Sequence, residues 1–316
     1  MLITKIKKFM KIMTCSTAFI VIAVNASATD LTFVSGSAGG AFLPFADGAT
    51  EVINQSGVAN VESIPSAGSI ENLNIINESN THLATVFLGS AQDAINGTGF
   101  AEDNRMTRIR ALFPMYETSF QVAAPADSGI SSITDLDGKL VGVGPADGPA
   151  EVYFRALSEA LGISPRFANG SSAELADQLV QGDIDALWQG AVVPIPPLVD
   201  VNSRIDAVIF GLSSEEVQLM LERFPFMAVA NYPAGTYDGQ PELTSVAAWN
   251  FVLSNATISE ELAYEITKAV LSRDDLTEVI GSLAASTRAE NAIANQVVPF
   301  HPGAKRYYRE VGVELP

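Results

Sequence analysis

The stretch Ser35-Gly36-Ser37-Ala38-Gly39-Gly40-Ala41-Phe42 joins two opposite backbone habits within eight residues. Before it, the apolar residues 31–34 read as a strand. After it, Phe42, Phe45, Ala46, Ala49, Val52 and Ile53 recur at helical spacing across residues 42–55. Glycines let a backbone come close to a ligand, and a helix start offers free N–H groups with roughly half a positive charge of helix dipole. Such a corner cradles a carboxylate or another electron-rich group. The candidate contacts are Gly36, Ser37, Ala38, Gly39, Gly40 and Phe42. It is not a nucleotide loop, because it has no lysine and not the glycine spacing of the dinucleotide fingerprint. A strand-to-helix turn that binds nothing has the same signature.

The design repeats. Residues 58–64 read as a strand, Pro65-Ser66-Ala67-Gly68 as a turn, and a helix starts near Ser69, where Ser69 and Asn72 can satisfy first-turn N–H groups. Residues 82–87 form the next strand, followed by Leu88-Gly89-Ser90 and a short helix to Gly97. Three alternations of strand, loop and helix call for a parallel α/β sheet with its ligand crevice outside the carboxyl ends of the strands.

At residues 113–117 the pattern breaks, and residues 119–124 read as a strand leading to a second set of units. These comprise a strand at 139–143, a loop at 144–149, a helix at 150–161, a helix opened by Ser171-x-x-Glu174, and a strand at 184–188. A proline-rich turn (Pro194-Ile195-Pro196-Pro197), a strand at 205–210 and a helix opened by Ser213-x-x-Glu216 follow. The apolar run 244–253 is placed back in the first lobe, and the tail is helical at 260–271 and 276–284. The expected architecture is α/β with two lobes, each a mainly parallel sheet flanked by helices, joined by a two-segment hinge. Lobe 1 takes residues 29–117 and 230–316, and lobe 2 takes 118–229. Loop ends that face one another across a hinge make a clamp.

Residues 1–28 have the pattern of a cleaved secretory signal: Lys5, Lys7, Lys8 and Lys11, a mostly apolar run at 12–24, and Ala26-Ser27-Ala28 at the end. An uncleaved anchor is the rival, but the weakly polar Thr14 to Thr17 leave too few strongly apolar residues to span a bilayer. The expected mature chain begins at Thr29, is exported to the periplasm and has no stable membrane insertion. The single cysteine, Cys15, lies inside the signal, so no disulfide or thiolate chemistry is expected after cleavage. With only His82 and His301 present, no metal site is expected, and no cofactor. Loss of four lysines and no acid takes the formal charge from −18 to −22. Such a field repels nucleic acid and anionic membranes.

Six segments come in an order that resembles the TAXI family, the solute-binding subunits of TRAP transporters. They are the glycine corner, Gly68-Ser69-Ile70-Glu71-Asn72-Leu73, Asp135-Leu136-Asp137-Gly138-Lys139-Leu140-Val141, Gly182-Asp183-Ile184-Asp185-Ala186, Pro233-Ala234-Gly235-Thr236-Tyr237 and His301-Pro302-Gly303-Ala304. The resemblance implies a type II periplasmic binding fold and delivery of a small solute, glutamate or a related dicarboxylate in better-known members, to TRAP membrane subunits. Two loops depart from the pattern. Where such proteins read close to Gln-Ser-Asp after the third strand, this chain has Phe87, Leu88 and Gly89. Where they read Ser-Gly-Thr at a helix start, it has Asp147-Gly148-Pro149, which trades hydroxyl and N–H donors for a carboxylate and an N–H-less proline.

The expected solute is therefore more apolar, neutral or amine-bearing than a dicarboxylate. Phe42, Phe87 and Trp188 would wall its apolar part, with Ser69, Asn72, Leu88, Asp147, Gly148 and Gln189 also facing it. Asp147 equally suits a helix cap turned to solvent, and Trp188 equally suits ordinary core. The rival functions are a sensor component of the same fold and, less well supported, an exported enzyme. No G-x-S-x-G elbow is present, and no catalytic residue is assigned.

Overall fold

A computed structural model describes residues 29–316. The proposed signal segment and Cys15 lie outside the described residues. The strands are β1 (Thr29–Val34), β2 (Ala59–Ile64), β3 (His82–Phe87), β4 (Ile109–Pro125), β5 (Leu140–Gly142), β6 (Arg166–Ala168), β7 (Ala186–Ala191), β8 (Ala207–Phe210), β9 (Ala228–Tyr232) and β10 (Leu243–Asn255). The helices are α1 (Phe42–Ser56), α2 (Ser69–Glu78), α3 (Leu88–Asn96), α4 (Pro149–Leu161), α5 (Ser172–Gln181), α6 (Pro196–Arg204), α7 (Ser214–Arg223), α8 (Glu260–Leu271), α9 (Leu276–Val279) and α10 (Pro302–Glu310). No helix among the described residues is long and apolar enough to cross a membrane.

One ten-stranded sheet runs in the order β2-β1-β3-β10-β4-β7-β5-β6, with β8 on β4 and β9 on β10. The two ends of that order have the same internal plan. Parallel β2-β1-β3 meets antiparallel β10, and parallel β6-β5-β7 meets antiparallel β4. The long strands β4 and β10 pair with each other and join the two ends.

The cores follow this plan. Phe33, Phe45, Leu73, Phe113 and Phe251 belong to one buried cluster. Phe120, Phe154 and Trp188 anchor a second, and Leu187, Leu198 and Ile209 a third. Phe87, at the end of β3, packs with the second cluster through edge contacts to Phe120 and Phe226 and a tilted contact to Tyr153. It bridges the halves.

Three expectations change. The break at 113–117 is not a strand end, because β4 passes through it. Pro114 opposes Phe251 beside an irregularity in the β4–β10 register, where a residue without an N–H is tolerated. The proline turn at 194–197 opens a helix: Pro196 and Pro197 fill the first positions of α6, where a missing N–H costs nothing. The run 244–253 does not belong wholly to the first core, since Val246 and Ala248 of β10 pack in the second cluster and Phe251 to Leu253 in the first. Both capping boxes form as expected, at Ser171/Glu174 and Ser213/Glu216. Asp135 closes a further box with Ser132, and Asp137 accepts from the Ser164 N–H, so that acidic pair serves turns.

Candidate functional site

The carboxyl ends of β1, β2 and β3 face those of β5 and β7, and between them lies a cavity of about 140 Å³. It is far larger than the ~10–15 Å³ that holds one water and has room for a small organic molecule. On the first half, Gly36, Ser37, Gly40, Phe42, Ser69 and Phe87 line it; on the second, Gly148 and Gln189 do. All eight are residues singled out from the sequence. The strands that join the halves add Tyr116, Thr118 and Phe120 from β4 and Asn250 from β10.

Helices α1, α2 and α4 start at this cavity. Their N-cap positions are Ala41 for α1, Gly68 for α2 and Gly148 for α4, and none supplies a side-chain hydrogen bond to the first turn. No cap side chain takes the N–H groups of Phe42 and Leu43 in α1, of Ser69, Ile70 and Glu71 in α2, or of Ala150 and Glu151 in α4, whose Pro149 has none, and each helix start carries partial positive charge. The Ser69 hydroxyl oxygen accepts from the Phe87 N–H at 3.0 Å, which leaves its own proton to donate. Among the described residues that line the cavity, none is charged. Phe42, Phe87, Tyr116 and Phe120 give it aromatic walls, with Phe42 and Tyr116 rings 6.4 Å apart.

Gly190 permits one of these walls: a Cβ there would come within 2.3 Å of the Phe120 ring. Phe120 stacks at 5.6 Å on Trp188, whose indole N–H donates to the Ala150 carbonyl at 2.9 Å and ties β7 to the first turn of α4. Burial pushes the Tyr116 hydroxyl well above its ordinary range, so it remains a neutral phenol.

The other sequence candidates lie elsewhere. Trp188 is fully buried behind Phe120 and forms no part of the cavity wall. Asn72 is also fully buried; its amide donates to the carbonyls of Ser35 at 2.6 Å and Thr85 at 2.8 Å and accepts from the Ser66 hydroxyl at 2.7 Å. It fastens the loops after β1 and β2 to strand β3 from behind. Leu88 packs into the first core. Ala38 and Gly39 are exposed, and Gly39, at φ +83°, sits against Ala173 of α5 on the other half.

Asp147 is exposed, adopts φ +57° and is outside the wall; its N–H donates to the Glu151 carboxylate at 3.2 Å. Aspartate tolerates that left-handed turn, and Gly148, not Asp147, takes the cap position of α4. The Asp147 carboxylate, expected from the sequence to face the solute, therefore stands outside the cavity wall. The uncharged wall, not a charged Asp147, distinguishes the site.

Sequence reasoning missed Tyr116, Thr118, Phe120 and Asn250. The first three alternate along β4 and share one face, a signal hidden once Pro114 is read as a strand end. Asn250, between Trp249 and Phe251, is a lone polar residue in an apolar run.

Known structures share this architecture. The MatC protein of Rhodopseudomonas palustris with bound malate superposes with a TM-score of 0.57 at 13% identity, covering 90% of this chain and 97% of that one. The periplasmic binding protein BugD gives 0.55 at 12% identity over 92% and 99%. An R. palustris protein with adipate gives 0.55 at 12% over 90% and 94%. These likenesses establish a two-lobe, type II periplasmic-binding-protein fold. The model of the NMT1-like family matches residues 33–312, so the chain belongs to the NMT1-like family.

Proposed function

We propose that this protein is a solute receptor: it captures a small organic molecule between its two halves and, in line with the TAXI resemblance, delivers it to TRAP-type membrane subunits after export to the periplasm. The observation that carries this reading is the cavity itself, walled from both halves by strand-end loops and by the starts of α1, α2 and α4, whose first-turn N–H groups no cap side chain takes. Residues 29–117 with 230–316 and residues 118–229 would then be the two jaws. The solute, more apolar or less charged than a dicarboxylate, places one electron-rich group at the helix starts and its body among Phe42, Phe87 and Phe120. Among the described residues that line the cavity, none is a nucleophile beside a base, and binding without chemistry is the function that fits.

The test uses the chain from Thr29, unfolded and refolded to strip retained solute, then melted against monocarboxylates, dicarboxylates, amino acids, amides and amines. A solute at 100 times its Kd adds about 2.7 kcal/mol to the native state, which moves melting by several degrees. No shift from any of these classes would contradict a receptor role. For the membrane partner, deletion of adjacent TRAP membrane genes should abolish uptake of the stabilising solute. Unchanged uptake would refute the TRAP assignment and leave capture intact.

A further inference from the structure

Three buried polar atoms in the wall have no hydrogen-bond partner among the described residues: Asn250 Oδ1, the Tyr116 hydroxyl and Gln189 Nε2. Asn250 is fully buried at the cavity edge, paired with Phe87 of β3 on one side. On the other side it falls in a register irregularity of the β10–β4 pairing, between Trp249 opposite Glu117 and Phe251 opposite Pro114. Bulges of this kind re-aim a side chain and recur beside functional sites. Its amide nitrogen donates to the Tyr116 carbonyl at 2.8 Å and to the Thr118 hydroxyl at 2.7 Å. Because a carbonyl can only accept, the first bond fixes which end of the amide is nitrogen. The other end, Oδ1, has no partner among the described residues, and neither does the buried Tyr116 hydroxyl. A buried acceptor left unpaired is destabilising unless something arrives to pair with it.

We infer that Asn250 is a specificity-determining residue: its Oδ1 accepts a hydrogen bond from an N–H or O–H of the solute, which selects a monocarboxylate bearing a neutral donor, such as an amide or hydroxyl, over a dicarboxylate. The inference rests on the receptor reading above and takes the electron-rich group at the helix starts to be a carboxylate. At the Asn250 end a second carboxylate would bring no proton to Oδ1 and would meet no cation in the wall. A solute N–H or O–H completes the bond. A site built around a hydrogen bond discriminates strongly against analogues that cannot make it.

Three probes of matched shape test this on the stripped chain from Thr29: succinamate (an amide), levulinate (a methyl in place of the amide nitrogen) and succinate (a carboxylate there). Calorimetric titration should give succinamate about tenfold tighter binding than levulinate, the worth of one net hydrogen bond, and succinate weaker than succinamate. Asn250→Leu should bring the succinamate-to-levulinate ratio to about one while levulinate binding persists. Asn250→Asp keeps an acceptor but turns a second oxygen onto the Tyr116 carbonyl, so it should weaken all three probes and succinate most. If Asn250→Leu gives no cooperative melt, the wild-type ratio and Asn250→Asp decide the matter. Equal wild-type affinity for succinamate and levulinate, or tightest binding of succinate, overturns the assignment of Asn250 and leaves the receptor reading standing. Binding of none of the three while another solute stabilises the protein does the same. No stabilisation by any compound overturns both.

Discussion

Replacing Asn72 by alanine tests how the candidate site is held in shape. The Asn72 amide makes two donations, to Ser35 and Thr85, and accepts one bond that the Ser66 proton shares with the Ser35 carbonyl. Each full hydrogen bond is worth about 1 kcal/mol net, so Asn72→Ala should cost about 2–3 kcal/mol. The Ser35 carbonyl retains the Ser66 and Thr85 hydroxyls as donors, which keeps the loss from rising further. At about 2–4 °C per kcal/mol for a chain of this size, melting should fall by roughly 4–12 °C. Urea titration of the wild type and variant measures the same loss at constant temperature. Because Gly36 and Ser69 are set by the loops that Asn72 ties, solute affinity should fall too. A stability loss below about 1 kcal/mol with unchanged affinity would show that these loops hold their shape without the buried amide, and the reasoning would be wrong.

Gly89→Ala should hinder closure, because the new Cβ would lie 2.1 Å from the Tyr153 hydroxyl and 2.6 Å from the Phe226 ring. Overpacking of about 1–3 kcal/mol should appear as weaker solute binding and a larger radius in small-angle scattering; unchanged affinity would rule out this contact as part of the closed state. Trp188→Phe keeps the packing on Phe120 but removes the donor to Ala150, and should lower stability by about 1–2 kcal/mol in urea titration. His301 accepts the Gly303 N–H through Nδ1 at the start of α10, and burial holds its pKa below the ordinary 6.5. The unfolded chain takes the proton first, so stability is complete above pH ~6.5 and falls as pH drops toward the depressed folded value. His82 is depressed in the same direction by burial. His301→Asn should therefore flatten part of the slope in melting temperature against pH, and an unaltered slope would exclude His301 as a contributor.

The parts of the fold written in local patterns were legible. Strand, glycine turn and helix at residues 31–55 follow from apolar spacing and turn chemistry alone, and Ser171/Glu174 and Ser213/Glu216 mark helix starts by their own side chains. Prolines misled where their missing N–H met a site that needed none, within β4 at Pro114 and at the start of α6. The site was half legible for the same reason. Loops at the carboxyl ends of strands converge by topology, so Gly36, Ser69, Phe87 and Gln189 could be named in advance. Whether Trp188 lines the cavity or lies one layer behind it depends on the ring of Phe120, and the direction of Asp147 depends on a single left-handed residue. Asn250 is exposed as a site residue only by the pairing of β10 with two strands at once.

The most direct test of the central claim is a crystal structure of the stripped chain with the solute that gives the largest melting shift. The account predicts that solute between the two halves, one electron-rich group at the N–H groups of α1, α2 or α4, and its body against Phe42, Phe87 and Phe120. Solute bound anywhere else, such as the surface groove beside Arg273 and Arg288, would contradict it.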